Sequence, residues 1–136
     1  MDMTVTFPGG ARVDAQLGPH IIRTDQPPHA GGEGSAPAPF ALFLASIATC
    51  AGSYVLSFCK QRGLDAEGIQ IVQRAVPDPR TGLIGRVELD IQVPAGFSEK
   101  YLEALIRAAN HCAVKKHLEA PPQFAVRTVV GETMTP

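Results

Sequence analysis

The sequence predicts a single α+β domain with the strand–helix order βββ-α-ββ-αα-β. Several short runs alternate apolar and polar residues, as strands with one buried face do. One long segment, from Gly34 to Cys59, carries no charged residue and has the length of a helix. Apolar residues make up 45% of the 136 residues, so we expect one core and one domain spanning residues 1–136.

The charge balance and the cysteine count argue against several classes of protein. Lys and Arg total 12 against 13 Asp and Glu, a net charge of −1, so the basic stripe of a nucleic-acid-binding protein is not expected. The N-terminus lacks the basic and apolar regions of a signal peptide. Three cysteines, an odd number, argue against a secreted domain held by disulfides. We therefore expect a cytoplasmic protein.

The first 24 residues predict three short strands joined by tight turns. These are Thr4–Phe7, Arg12–Leu17 and His20–Thr24, with Gly and Pro residues between them. Short connections favour antiparallel pairing. The next segment, Asp25–Pro39, is rich in Pro, Gly, Ala and Ser and predicts a long loop of the kind that often carries function.

The uncharged segment predicts a helix from about Pro39 to Arg62, with Ser35 or a neighbour as its cap and Gly63 as its stop. The 20 residues of Phe40–Cys59 are long enough to cross a membrane. Several small polar side chains argue against a membrane span: Ser46, Thr49, Ser53 and Ser57. We therefore expect a protein without membrane association, in which this helix is buried on most sides.

The second half of the chain predicts two longer strands, two helices and a final strand. The strands are Ile69–Val76 and Val87–Val93, which alternate cleanly. A helix capped by its first residue covers Ser98–Asn110, and a shorter one covers Cys112–Glu119. Gln123–Val130 is predicted to close the fold as a last strand.

The three cysteines differ in their predicted surroundings. Cys50 lies on the small, weakly polar face of the long helix, whereas Cys59 lies half a turn away and is interpreted as a core residue. Cys112 opens a helix next to several basic residues, and a helix N-terminus would lower the pKa of its thiol. The alternative is a buried thiol surrounded by solvated charges.

Metal and nucleotide sites are not expected. The sequence has no CxxC or HxxxH pair, and no glycine-rich motif of a phosphate-binding loop follows a strand. No cofactor is therefore predicted.

Two cysteine segments and one loop resemble the OsmC/Ohr family of bacterial peroxide-handling proteins. They are residues 42–50 (LFLASIATC), residues 111–118 (HCAVKKHL) and residues 31–40 (GGEGSAPAPF), which lead into the long helix. The resemblance covers essentially the whole chain and is closest to an OsmC-like branch. It implies an OsmC-like fold and an intertwined homodimer with active sites at the subunit interface.

The resemblance also implies a mechanism. Cys50 would attack a peroxide and become a sulfenic acid, Cys112 would resolve it to a disulfide, and an external dithiol would restore both thiols. Relatives of the Ohr type hold an Arg beside the thiol. Here Arg12 is the first candidate and Arg23 the second. The Glu that orients this Arg is replaced by Phe40, and Glu33 is a candidate substitute.

These observations leave three hypotheses for the function. The first is a thiol-dependent peroxidase that acts on organic hydroperoxides in the oxidative stress response, with hydrogen peroxide as a second candidate substrate. The second is an OsmC-like protein without peroxidase activity that binds a small apolar or electrophilic ligand in the same pocket. It is favoured by Phe40 and by Ala113, which stands where the family has a proline after the second cysteine. The third is a structural protein with inert cysteines.

Overall fold

Three antiparallel strands open the chain in the computed structural model, which describes residues 1–131. They are β1 (Thr4–Gly9), β2 (Arg12–Leu17) and β3 (His20–Thr24), in the order β1-β2-β3. Each prediction for these strands is confirmed within two residues. The strands of this sheet contact mainly one another, and the sheet takes no part in the principal packing contacts among the other elements.

The long helix α1 covers Pro39–Gln61, close to the predicted bounds. Pro39 occupies its first turn, where a missing N–H costs nothing. The predicted cap by Ser35 is wrong, because Ala38 is the N-cap and the Ser35 hydroxyl bonds to Asp25 instead. Gly63 ends the helix at φ +65°, a left-handed conformation that favours glycine, as predicted.

Only one stripe of α1 is buried by its own chain. The stripe recurs every three or four residues and consists of Ile47, Ala51, Val55, Phe58 and Cys59. The prediction that α1 is buried on most sides is therefore wrong for a single chain. Among residues 1–131, α1 is the one helix whose length and composition would suit a membrane span, yet it packs against α2, α3 and β4 as a core helix does.

A hairpin and two helices cover the buried stripe. The hairpin pairs β4 (Gln70–Pro77) with β5 (Ile84–Gln92), and β4 contacts α1. A short 3-10 turn, Glu99–Tyr101, precedes α2 (Leu102–Asn110), and α3 (Ala113–Glu119) follows.

The start of α2 differs from the prediction. The side chain of Ser98 makes no capping hydrogen bond, so the predicted cap is wrong and the α-helix begins at Leu102. Leu105 of α2 joins Val55, Phe58 and Cys59 of α1 in the central cluster of the core. This cluster holds α2 against the C-terminal half of α1.

The predicted final strand, Gln123–Val130, is not present in the single chain. Residues 121–131 have no regular secondary structure and lie exposed. Phe124 is 87% and Val126 is 96% exposed. The segment is rich in apolar residues, but a strand also needs a neighbouring backbone edge, and this segment pairs with none in its own chain.

Candidate active site

Cys50 and Cys112 meet where the middle of α1 packs against the start of α3. Cys50 is half-buried on α1, and Cys112 is the N-cap residue of α3. The two thiols are close enough for each to shift the pKa of the other, and neither is in a disulfide. The sequence separation of the two residues is therefore closed by the packing of α3 on α1.

The surroundings of Cys50 favour its thiolate. The backbone N–H of Val114, the thiol of Cys112 and the backbone N–H of Ala113 face Cys50. These contacts lower the pKa of the Cys50 thiol, with the Val114 N–H as the largest cause, although burial opposes them. Of the two thiols, Cys50 is therefore the one whose thiolate is favoured.

Cys112 differs from its partner in burial. Its side chain is 2% exposed, its thiol points to the carbonyl of Ile47 at 4.0 Å, and it accepts the Lys115 N–H at 3.5 Å. Burial raises the pKa of the Cys112 thiol despite the helix N–H groups. The expectation that the start of α3 favours a Cys112 thiolate is therefore wrong, because burial outweighs the N–H groups of Lys115 and Val114 that face its thiol.

The predicted Arg and Glu partners are not brought to this pair within one chain. Arg12 donates from Nε to the Gly9 carbonyl at 3.3 Å and from Nη2 to the Pro8 carbonyl at 3.4 Å, both in its own hairpin. Arg23 and Glu33 are exposed. No arginine or glutamate is among the groups that shift the pKa of Cys50.

Cys112 also lines a groove. It has a volume of about 740 Å³ and is bounded by α2, α3, β5 and one turn of α1. We call it the α2–β5 groove. Its walls include Cys112 but not Cys50, and most of the other lining side chains are apolar: Ile47, Val87, Leu89, Ile91, Leu102, Ile106 and Leu118. Polar side chains beside Cys112 are Asn110 and Lys115.

The sequence profile of the OsmC-like protein family matches residues 32–127, which is more than half of the chain and includes both cysteines. The chain belongs to the OsmC-like family. No curated protein matches the sequence.

Solved structures support the family assignment. A protein from Psychrobacter arcticus described as an osmotic stress induced and detoxification response protein is 23% identical, with a TM-score of 0.71 over 84% of this chain and 85% of that one. An OsmC like protein from Mycoplasma pneumoniae is 17% identical, with a TM-score of 0.64 over 88% and 87%. An organic hydroperoxide resistance protein from Elizabethkingia anophelis is 21% identical, with a TM-score of 0.59 over 85% and 85%. These likenesses show the shared OsmC-like fold.

Phe40 separates this OsmC-like chain from the pattern of the Ohr type. Its ring stacks on Phe43 with centroids 5.5 Å apart, and it is largely exposed. Ten residues of helix place it about 15 Å along the axis from Cys50. Phe40 is therefore not beside the thiol of its own chain.

Asp25 is the buried polar residue that the sequence reasoning missed. It is 1% exposed and accepts hydrogen bonds from the Ser35 hydroxyl and from the backbone N–H groups of Gln26, Glu33 and Ser35. These bonds, above all that from the Ser35 hydroxyl, lower its pKa from 3.8 to about 2. Asp25 thus fixes the loop that carries Glu33 and leads into α1. An Asp directly before a Gly/Pro-rich loop was the available signal.

Cys59 is a core residue, as interpreted from the sequence. It is 0% exposed, lies in the cluster with Val55 and Leu105, and has its thiol pKa raised by burial. Within residues 1–131, no group of three or more His, Cys, Asp or Glu side chains is arranged to hold a metal ion.

Proposed function

We propose that this OsmC-like protein is a thiol-dependent peroxidase that reduces organic hydroperoxides, with hydrogen peroxide as a further candidate substrate. One observation carries the proposal: the backbone N–H groups of Val114 and Ala113 and the thiol of Cys112 lower the pKa of the Cys50 thiol, so a thiol with a lowered pKa lies beside a second thiol. Low thiolate pKa and a neighbouring resolving cysteine are the features of peroxide-reactive sites. The names of several structural relatives, which refer to organic hydroperoxide resistance, are consistent with it.

The proposed reaction has two protein steps. The Cys50 thiolate attacks the terminal oxygen of the hydroperoxide, the O–O bond breaks, and the alkoxide leaves and takes up a proton as the alcohol. The Cys112 thiol then attacks the sulfur of the Cys50 sulfenic acid, a disulfide forms and water leaves. An external dithiol returns the pair to the reduced state and is itself oxidised. No metal or organic cofactor takes part, and free thiols of this kind suit a bacterial cytoplasm.

A test follows the thiols directly. Reduced protein is mixed with cumene hydroperoxide or hydrogen peroxide, and free thiols and intact mass are measured with time. We expect rapid loss of two thiols and a disulfide that peptide mapping assigns to Cys50 and Cys112. In Cys112→Ser, the Cys50 sulfenic acid should persist and be trapped by dimedone. If both thiols of the pair stay reduced in the wild-type protein, the proposal fails.

The functional unit is proposed to be an intertwined homodimer. α1 has no charged residue before Lys60, yet most of its surface is uncovered, and the exposed residues 121–131 include four large apolar side chains: Phe124, Val126, Val129 and Val130. Exposed apolar surface of this extent is typical of an interface. A second copy would also bring its Arg12, or Arg23, and its Glu33 to Cys50, which these residues do not reach in their own chain.

Mixing two inactive variants tests the shared site. Cys50→Ser and Arg12→Ala proteins are unfolded together and refolded, so that mixed dimers form. If Arg12 acts across the interface, each mixed dimer has one complete site, and random pairing restores about a quarter of the wild-type activity. Recovery no greater than the average of the two separate variants would contradict this assignment. Analytical ultracentrifugation of the wild-type protein tests the dimer itself.

A second candidate function is the binding of a small apolar or electrophilic ligand without peroxidase activity. Phe40 and Ala113 favour it, since both replace residues of the peroxidatic pattern. The same thiol assay separates the two functions. Cys50 that reacts with an enal but not with either peroxide would support ligand capture.

A further inference from the structure

Cys112 is both a member of the thiol pair and the residue that caps α3. Its sulfur accepts the backbone N–H of Lys115 at 3.5 Å. The next two donors, the backbone N–H groups of Ala113 and Val114, face Cys50 on α1. The first N–H groups of a helix have no partner within the helix, and most helices satisfy them with an oxygen cap. In α3 they depend on two sulfurs.

The anchorage of α3 lies mainly at this capped end. The helix is seven residues long, and a helix of that length is not stable alone in water. No residue of α3 is buried and Val114 alone is half-buried, whereas Cys112 at its start is 2% exposed. The Lys115 ammonium bonds to Asn110 Oδ1 at 2.9 Å, also at the start of the helix. The cap therefore decides how firmly the remaining turn of α3 is held.

We propose that α3 is a redox-sensitive element, which is docked while Cys50 and Cys112 are thiols and loosens when the two sulfurs are joined in a disulfide. Lys115 and Leu118 of α3 line the α2–β5 groove, so the groove loses this wall in the oxidised protein. The inference deepens the proposed function, because it rests on peroxide as the oxidant that sets the switch in the cell.

Oxidation changes what the two sulfurs offer to α3. Each thiol gives up one proton and one electron to the oxidant, both S–H bonds are lost and one S–S bond forms. A neutral disulfide sulfur is a weaker acceptor than the Cys50 thiolate, which the N–H groups of Ala113 and Val114 favour. Cys112 also loses the proton with which its thiol points to the Ile47 carbonyl, at 4.0 Å. The S–S bond ties Cys112 to α1, yet it supplies no new acceptor for the donors that begin α3.

Amide hydrogen exchange measures the opening of α3. The reduced protein, kept in a phosphine, is compared with the Cys50–Cys112 disulfide prepared with diamide, whose N=N bond takes up the two electrons and two protons. Exchange is followed by NMR at the amides of residues 116–120, which are bonded within the helix. Removal of a side-chain N-cap typically shifts a helix equilibrium about fivefold, so we expect about fivefold faster exchange at these amides in the disulfide. Residues 105–109 of α2 should exchange at the same rate in both forms.

Two substitutions at Cys112 separate the cap from the disulfide. Cys112→Ser keeps a side-chain acceptor at the N-cap, whereas Cys112→Ala removes it, and neither variant can form the bond to Cys50. We expect residues 116–120 of Cys112→Ala to exchange as fast as in the wild-type disulfide, and those of Cys112→Ser no faster than in the reduced wild-type protein. Exchange in the disulfide that is equal to or slower than in the reduced protein would overturn the inference. A Cys112→Ala protein as protected as Cys112→Ser would also overturn it.

The outcomes also separate this inference from the proposed function. Loosening of α3 by diamide in a protein that peroxide does not oxidise would leave the switch standing and remove the peroxidase. A pair that peroxide oxidises, with unchanged exchange in α3, would do the reverse. If neither oxidant joins Cys50 to Cys112, both proposals fail.

Discussion

Cys50 and Cys59 lie on the same helix, nine residues apart and on opposite sides of its axis. The pKa values of their thiols are nevertheless shifted in opposite directions. The pKa of Cys50 is lowered and that of Cys59 is raised. Cys50 meets the first N–H groups of α3, whereas Cys59 meets only the core cluster with Val55 and Leu105. The reactivity of each thiol is therefore set by the element packed against α1, and not by α1 itself.

The largest expected difference between Cys50 and Cys59 is in the peroxidase activity that is lost when each is substituted. Cys50→Ser should lower peroxide consumption on the order of a thousandfold, because a serine hydroxyl is a weak nucleophile without an activating base. Cys59→Ser should keep most of the activity. The assay follows cumene hydroperoxide in the presence of excess dithiothreitol. A Cys50→Ser protein that still consumes peroxide would remove Cys50 from the mechanism.

For stability we expect the opposite order, with a larger loss from substitution of Cys59 than from substitution of Cys50. Cys59→Ser buries a hydroxyl in the core and should lower the free energy of unfolding by about 1–3 kcal/mol. Cys50→Ser, at a half-buried position, should change it by about 0.5 kcal/mol or less. Urea denaturation at one fixed protein concentration compares the variants. Equal losses in both would mean that the two sites do not differ in packing as described.

Arg12→Ala should change the pKa of the Cys50 thiol and leave the pKa of the Cys59 thiol unchanged. If the partner subunit supplies Arg12, its removal takes away a cation that favours the thiolate, so the pKa of Cys50 rises. Iodoacetamide reacts with the thiolate, so the pH at which alkylation reaches half of its maximal rate should rise for Cys50 alone. Arg23→Ala is the matched variant. A shift in Arg23→Ala only would transfer the role to Arg23, and no shift in either would exclude both.

The smallest expected effect comes from Ala113→Pro. Proline is tolerated in the first turn of a helix, and Cys112 already has ψ 125°, which suits a residue before proline. The change removes one of the N–H groups that face Cys50, so the pKa of Cys50 should rise and its alkylation should move slightly to higher pH. Cys59 in the same sample is the internal control. An unchanged Cys50 profile would leave Val114 as the only backbone donor that matters.

Local sequence patterns predicted the helices and strands but not how these elements contact one another. Proline at the start and Gly63 at the end delimited α1, and turn signals with short apolar runs, two of them alternating, located all five strands that the described residues form. These signals could not say that Gln123–Val130 has no partner edge within its chain. The resemblance to a family, and not spacing, paired Cys50 with Cys112.

Long-range polar contacts were the least predictable. The shift of Cys50 depends on N–H groups more than 60 residues away, and the burial of Asp25 depends on a loop that folds back on it. Neither contact leaves a periodic signal, since each joins one side chain to a backbone group placed by tertiary packing. Arg12 shows a related limit, because its side chain bonds only within its own hairpin and no local pattern reports a contact made to another chain.

The uncovered C-terminal segment also bears on how the protein reaches its working form. A chain that has just folded presents Phe124, Val126 and their neighbours to water. On the proposed assembly, it does so until it meets another copy. Folding is a first-order process, whereas pairing of two chains is second-order, so the lifetime of the unpaired chain lengthens as its concentration falls. During that interval, the extended apolar segment can also join the wrong sheet edge. On the proposed assembly, the yield of native protein should therefore depend on synthesis rate and chaperone supply as well as on the stability of the finished dimer.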